Sequence, residues 1–352
     1  MRIKLVKRPP LPLWKRALLP VWAILLAFLI SGIFIALTGT NVLEAFWLII
    51  TGSLGSRFAF LETLIKMTPM CLTGLAVTIA FRAKFWNIGA EGQLYMGAMA
   101  AAWIGIIPLS SSPFIQIPVI IMAGFVAGGL LAIFPAWLKV KFKVDDVVTT
   151  LMLNYVVIFL MRALLDTVWR DPISGWPHSP SILPAAIFPR LLPPGRLHIG
   201  FLIALGAAVL CFILLKYTGL GYRLRAVGYN PQASRYGGIN VKRTLLATAF
   251  ISGGLAGLAG VGEVCGMQFY LIDGISSGYG YYGVAIAMLA NLQPLGVILA
   301  SFFFAVIFTG SQTMSRYTVV PVYISDIMQG LTLITMLMVL LLNRYKIKIS
   351  RK

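Results

Sequence analysis

The stretch Lys216 to Arg243 reads KYTGLGYRLRAVGYNPQASRYGGINVKR and stands between two strongly apolar halves of the chain. It carries Lys216, Arg223, Arg225, Arg235, Lys242 and Arg243 and no acidic residue. On either side of it, apolar runs of roughly 20 residues recur, each long enough to cross a ~30 Å hydrocarbon layer as a helix. A chain in lipid has to satisfy its backbone hydrogen bonds internally, so such runs fold as helices. The expected fold is therefore all-α, a polytopic membrane protein in which this basic segment is a loop between spans.

Composition agrees. Hydrophobic residues make up 59% of the 352 residues and charged ones 11%, with a mean hydropathy of +0.90. A soluble domain is a little under half apolar and about a quarter charged, so that class is excluded. The net charge of +19 raises the question of nucleic acid, but the charge follows the membrane instead. Of the 29 Lys and Arg, 22 fall in segments assigned to the cytoplasm and 7 elsewhere, which orients the chain and leaves no nucleic-acid partner to expect. Cys71, Cys211 and Cys265 lie in apolar segments or at their ends and cannot pair completely, so they read as small packing residues.

Met1 to Arg16 carries six basic residues ahead of the apolar run Leu18 to Thr38. That run is long and lacks a cleavage-like end, so a retained first span is expected rather than a signal peptide. The remaining charge blocks fit about ten spans with both termini cytoplasmic, in one transmembrane domain covering residues 1–352. Asn41 to Leu61 reads as an amphipathic segment at the outer interface. The next span, about Glu62 to Phe81, contains Lys66, expected to snorkel, and Pro69. Spans over about Phe114–Leu138, Val147–Leu165, Leu197–Leu215 and Leu245–Gly262 follow the same reasoning. Seven prolines between Arg162 and His198 rule out a buried helix and suit a rigid outer cap, with residues 166–196 as the extracytoplasmic loop. Glu263 to Gly280 reads as an outer hairpin rich in Gly and Tyr, and a short span at about Tyr281–Leu292 is broken by Asn-Leu-Gln-Pro.

No Gly-x-x-x-x-Gly-Lys-[Ser/Thr] occurs, so the chain has no phosphate-cradling loop of that type. No nucleophile stands beside a base, and His178 and His198 lack metal-ligand spacing and read as surface residues. The chain is expected to be a non-enzyme without a cofactor of its own. Two polar interruptions in apolar surroundings are more telling, because a polar group at membrane depth is costly unless it faces a partner or a pathway. One is Asn87 to Gln93, where Asn87, Glu91 and Gln93 either meet a polar solute or cap the helix that follows. The other is Asn154, with Tyr155 and the preceding Thr149 and Thr150, where interhelical hydrogen bonding and substrate contact are both open. Tyr279, Tyr281 and Tyr282 read as aromatic-belt residues.

Any cytoplasmic loop is basic. What sets Lys216–Arg243 apart is its order: a glycine-rich lead-in, Arg223 and Arg225, then Gly228-Tyr229-Asn230-Pro231 and a helix-compatible run from Gln232 to Gly237. These features describe a surface offered to a cytoplasmic partner.

GYRLRAVGYNPQASRYGGI resembles the coupling loop of ABC-importer permeases of the ribose and nucleoside (simple-sugar) branch. FWNIGAEGQLYMGA and DDVVTTLMLNY resemble signature segments of its nucleoside and simple-sugar members, and NLQPLGVILASFFFA is similar to a late span of the family. The resemblance runs from about Leu61 to Leu342. It implies a permease subunit in the prokaryotic cytoplasmic (inner) membrane that pairs with a second permease subunit, identical or not. It also implies separate ATPase subunits that bind the ATP, and an extracytoplasmic substrate-binding protein. Carried onto this chain, Gly228 to Ile239 is the coupling helix, including Asn230, Pro231, Arg235, Tyr236 and Gly237, with Arg223 and Arg225 beside it. Ser234 and Gly237 stand where the family usually has alanine. Asn87, Glu91, Gln93 and Asn154 are implied to lie on or near the pathway. A monosaccharide permease is the near alternative. A further one is an ion-coupled carrier using Glu91, or Glu263 and Asp273, which would not need so organised a loop.

Overall fold

A computed structural model describes the backbone of residues 2–7 and 13–350, so parts of the basic opening run and the last two residues of the basic tail lie outside the described residues. In chain order the elements are β1 (Arg2–Lys7), α1 (Leu13–Leu37), α2 (Val42–Leu54), α3 (Arg57–Arg82), α4 (Ala90–Ile106), α5 (Pro113–Phe142) and α6 (Asp146–Asp166). There follow α7 (Gly200–Tyr217), α8 (Gly219–Tyr229), α9 (Pro231–Tyr236), α10 (Val241–Glu263), α11 (Tyr279–Leu289), α12 (Pro294–Tyr317), α13 (Ile324–Arg344) and β2 (Tyr345–Ser350). Apart from the β1–β2 ribbon, the fold is helical, as composition required. Among the described residues six helices are long and apolar enough to cross a membrane, or seven if the pair Val21–Leu37 and Val42–Leu54, bent by 114°, counts as one span.

The chain forms two compact units. In the first, residues 1–59 and 306–352, α1 packs on α13, and Thr335 donates its hydroxyl to the Ala23 carbonyl at 2.9 Å. β1 and β2 pair antiparallel, from Arg2 opposite Ser350 to Lys7 opposite Tyr345, which sets the two ends of the chain side by side.

The second unit, residues 60–305, is built around a seam of α4, α5 and α10. Small residues let these backbones touch, the arrangement expected where lipid supplies no hydrophobic drive between helices. A Cβ on Gly257 would run into the Gly124 carbonyl oxygen, and one on Gly260 into that of Leu94. Beside the seam, α3 is buried along most of its length, whereas α5, α6 and α7 leave most of their apolar surface exposed, as lipid-facing helices do. The proline-dense connection between α6 and α7 is strapped down by backbone bonds. Ser179 N–H donates to Leu271 O (2.9 Å), Ile182 N–H to Phe269 O (2.8 Å) and Phe188 N–H to Cys265 O (2.9 Å). The residues 263–280 expected as a hairpin instead continue α10 through one π-type turn, Val264–Gln268, before acting as partner to this strap.

Several expectations are corrected. α3 starts at Arg57, five residues before Glu62, because Leu61 and Ile65 already pack with Leu197. Lys66 does not snorkel outward: its Nζ donates to the Tyr279 hydroxyl at 3.1 Å. Tyr279 is 1% exposed and so is no belt residue, and His198, expected at the surface, is buried, its Nδ1 accepting from Gly200 N–H at 3.1 Å. All three cysteines are buried and free.

The seam is testable by a pair of substitutions. Gly257→Ala should destabilise by about 1–3 kcal/mol through overpacking, read as a lower melting temperature in detergent. Gly206→Ala, on α7 with open space around it, should leave melting unchanged or raise it.

Candidate functional site

The two polar interruptions meet. α3 ends at Arg82, and the chain runs without regular structure from Phe85 to Ile88 before α4 begins at Ala90. An extended backbone buried among helices leaves N–H and C=O groups that have to be paired. Asn87 and Gln93 pair their amides reciprocally: Asn87 Nδ2 donates to Gln93 Oε1 and Gln93 Nε2 donates to Asn87 Oδ1, both at 2.9 Å. Asn87 Nδ2 also donates to Ser252 Oγ on α10 at 2.9 Å, and Ser252 Oγ donates to the Ala76 carbonyl of α3 at 2.7 Å. From α6, Asn154 Nδ2 donates to Ile88 O at 3.0 Å while its Oδ1 accepts from Gly92 N–H at 2.8 Å. Thr150 Oγ1, one turn earlier, accepts from Ile88 N–H at 3.1 Å.

The fold thus brings Asn87, Gln93 and Asn154 into one buried network, each 1% exposed or less. Glu91 sits beside it but bonds elsewhere. It does not cap its own helix, whose N-cap is Gly89. Its Oε2 accepts from Gly280 N–H at 2.7 Å, placing a carboxylate at the N-terminus of α11, where the helix dipole favours negative charge.

Sequence reading missed three contributors to this framework. Ser252 was hidden in a run of small residues. Asp146 accepts from Trp86 N–H at 2.6 Å and from Lys139 Nζ, and the only signal for it was an acid next to a basic block. Arg82 appeared as a stop charge, yet its Nε donates to the Leu292 carbonyl at 2.9 Å.

On the basic side the polar loop is two helices. Thr218 Oγ1 caps α8 by accepting from Gly221 N–H at 3.1 Å, and a Cβ on Gly221 would strike the Leu214 carbonyl, so α8 folds back tightly on α7. The helix expected from Gly228 is divided at Asn230. Its extended backbone ends α8, while its side chain accepts from Gln232 N–H (2.9 Å) and Ala233 N–H (3.1 Å) to start α9, with Pro231 in the first turn. Gly228 belongs to α8 and is buried; Pro231, Arg235 and Gly237 are exposed. Tyr229 is 81% and Tyr236 95% exposed, so one aromatic ring at the end of α8 and another beside Arg235 on the six-residue α9 face outward. Arg223 is exposed and Arg225 half-buried on α8. Beside α9 lies a groove of about 510 Å³ lined by Gln232, Arg235, Gly238, Asn240 and Lys242 among others. Exposed aromatics with arginine are what protein interfaces enrich.

The sequence profile of the family described as "Branched-chain amino acid transport system / permease component" matches residues 59–337. The chain belongs to this permease family. It is a component of a transport system and not an enzyme. It is 33% identical over 313 residues to the guanosine ABC transporter permease protein NupP of Bacillus subtilis, covering 88% of this chain and 90% of that one. It is 31% identical over 316 residues to the nucleoside ABC transporter permease protein NupB of Lactococcus lactis, 87% of each chain. It is 30% identical over 360 residues to the glucose ABC transporter permease protein TsgB13 of Haloferax volcanii, 99% of this chain and 94% of that one. No solved structure matches. Membership of an ABC permease family sets aside the ion-coupled carrier.

The amide network makes a quantitative prediction. Asn154→Ala strips partners from Gly92 N–H and Ile88 C=O and should destabilise the protein by about 1–3 kcal/mol for each group left unpaired. In a double-mutant cycle, Asn87→Ala and Gln93→Ala should be non-additive by about 0.5–3 kcal/mol, read by thermal unfolding in detergent. Strict additivity would mean the pair is not a unit.

Proposed function

We propose that this chain forms the translocation pathway of an ATP-driven importer for nucleosides or related simple sugars, and that α8 and α9 dock on a cytoplasmic ATPase subunit. The observation that carries the docking assignment is the exposure of Tyr229 at the end of α8 and of Arg235 and Tyr236 on α9, a helix fixed at its start by Asn230. The substrate class follows the printed names of NupP and NupB; the name of TsgB13 favours a second reading, a monosaccharide. In this reading the chain lies in a prokaryotic cytoplasmic membrane and pairs with a second permease subunit. An extracytoplasmic binding protein delivers solute against the strapped outer connection. All 352 residues act as one permease domain.

The topology that fits has ten crossings, α1, α3 to α7 and α10 to α13, with α2 lying at the outer interface. An even number returns both ends to one side, in keeping with the β1–β2 pairing, and the basic residues of both ends put that side in the cytoplasm. α11, at 11 residues, is the short member of a broken crossing. Asn87, Glu91, Gln93 and Asn154 lie on or near the pathway, where their network holds unwound backbone at membrane depth. ATP binding closes the ATPase dimer, α8 and α9 move as levers on α7 and α10, and the pathway alternates between two packings stabilised by nucleotide and by the binding protein.

Arg235→Glu should abolish co-purification of the ATPase subunit while the substituted chain remains folded and membrane-inserted. Full recovery of the complex would remove the docking assignment. Competition of labelled guanosine uptake by unlabelled glucose separates the two substrate readings, with no competition expected from the sugar.

A further inference from the structure

Arg82 stands where three parts of the second unit converge. α8 lies on it from the basic side: a Cβ on Gly228 would collide with the Arg82 carbonyl oxygen, so the two backbones touch with no side chain between them. A contact of this kind has no slack, and a shift of α8 has to move the end of α3 or break the packing. From the same residue, Nε reaches across to donate to the Leu292 carbonyl at 2.9 Å.

Leu292 is in the break between α11 and α12. Asn291 and Leu292 both have left-handed backbone, φ 50° and 57°. Asn tolerates that region, but Leu rarely enters it and does so only where surroundings hold it there. The hydrogen bond from Arg82 is one such hold, and Leu292 N–H donating to Ala287 O at 2.9 Å is another.

α11 is gripped at its other end as well. Thr73 Oγ1 of α3 donates to the Tyr279 carbonyl at 2.8 Å, Lys66 Nζ donates to the Tyr279 hydroxyl, and Gly280 N–H donates to Glu91. Eleven residues of helix span about 17 Å, so α11 is a short rod with Arg82 near one end and Glu91 at the other.

We propose that Arg82 is a positioning residue that couples the α8–α9 docking segment to the strained Asn291–Leu292 break, and through α11 to Glu91. This rests on the docking reading given above. A nucleotide-driven shift of α8 is passed by the Gly228–Arg82 contact to the end of α3. Arg82 then either holds or releases the Leu292 carbonyl, and the left-handed pair changes its backbone accordingly.

The test uses the complete complex of the chain with its ATPase and binding-protein partners, reconstituted in lipid, with Arg82→Gln in the chain. Subunit recovery and basal ATP hydrolysis are expected to be unchanged. Stimulation of hydrolysis by solute-loaded binding protein is expected to fall by roughly fivefold or more, the scale of an intersite coupling. Stimulation equal to that of the unsubstituted complex overturns the proposal. If Arg82→Gln does not assemble, amide hydrogen exchange in the unsubstituted complex decides. Protection across residues 289–294 should differ between nucleotide-free and ATP-bound states, and identical exchange there overturns the proposal. A docking failure is separately visible, because Arg235→Glu would then leave the ATPase subunit bound.

Discussion

An unpaired backbone amide in hydrocarbon costs several kcal/mol, and residues 85–89 are where this chain has to meet that constraint. Three helices contribute to the solution. α4 supplies Gln93, α6 supplies Asn154 and Thr150, and α10 supplies Ser252, which is itself tied to α3. Once the break is paired in this way, the start of α4 is fixed against α6 and α10. The Gly257 and Gly260 contacts then set how close α10 lies to α5 and α4. The polar network and the glycine seam are therefore one arrangement, with hydrogen bonds fixing position and small residues fixing distance.

The same helices lead to the basic side. α7 and α10 flank α8 and α9, and α8 is held by backbone contact at two glycines, Gly221 on α7 and Gly228 on the end of α3. The result is an exposed helix on a stiff mount. In the proposed topology, much of the loop's charge does no more than orient the chain. The surface proposed for docking comes from residues that orientation does not require: Asn230 as a cap, Pro231 in the first turn, and outward Tyr229, Arg235 and Tyr236.

Local chemistry was largely legible. The apolar runs placed α5, α6, α7 and α10 to within a few residues, and Asn-Pro marked the start of α9. Contacts between distant segments were not. The sequence reads residues 219–227 as a glycine-rich lead-in with Arg223 and Arg225 and starts the helix at Gly228, yet α8 is helical throughout although Gly219, Gly221 and Gly228 weaken helix propensity. Close packing of Gly221 on the Leu214 carbonyl of α7 and of Gly228 on the Arg82 carbonyl of α3 outweighs that loss. The expectation that Glu91 caps the helix that follows it does not hold: its carboxylate instead meets the first turn of α11, which starts 188 residues later in the chain, at Tyr279. Nothing near Lys66 or His198 in sequence announces the Tyr279 hydroxyl or the Gly200 amide that hold them inside. Pairing of Asn87 with Gln93 was equally hidden, since both a solute and a neighbouring amide satisfy the same groups.

The central claim is that α9 is the surface on which an ATPase subunit seats. It is tested most directly by site-directed cross-linking in the assembled complex. The three native cysteines are buried, so a single Ala233→Cys on exposed α9 supplies a reactive thiol with little background. A short thiol-to-amine cross-linker should join Ala233→Cys to the ATPase subunit, and should not do so from Val168→Cys, exposed in the α6–α7 connection that the proposed topology puts on the opposite face of the membrane. No cross-link from Ala233→Cys, or an equal yield from both positions, would contradict the account.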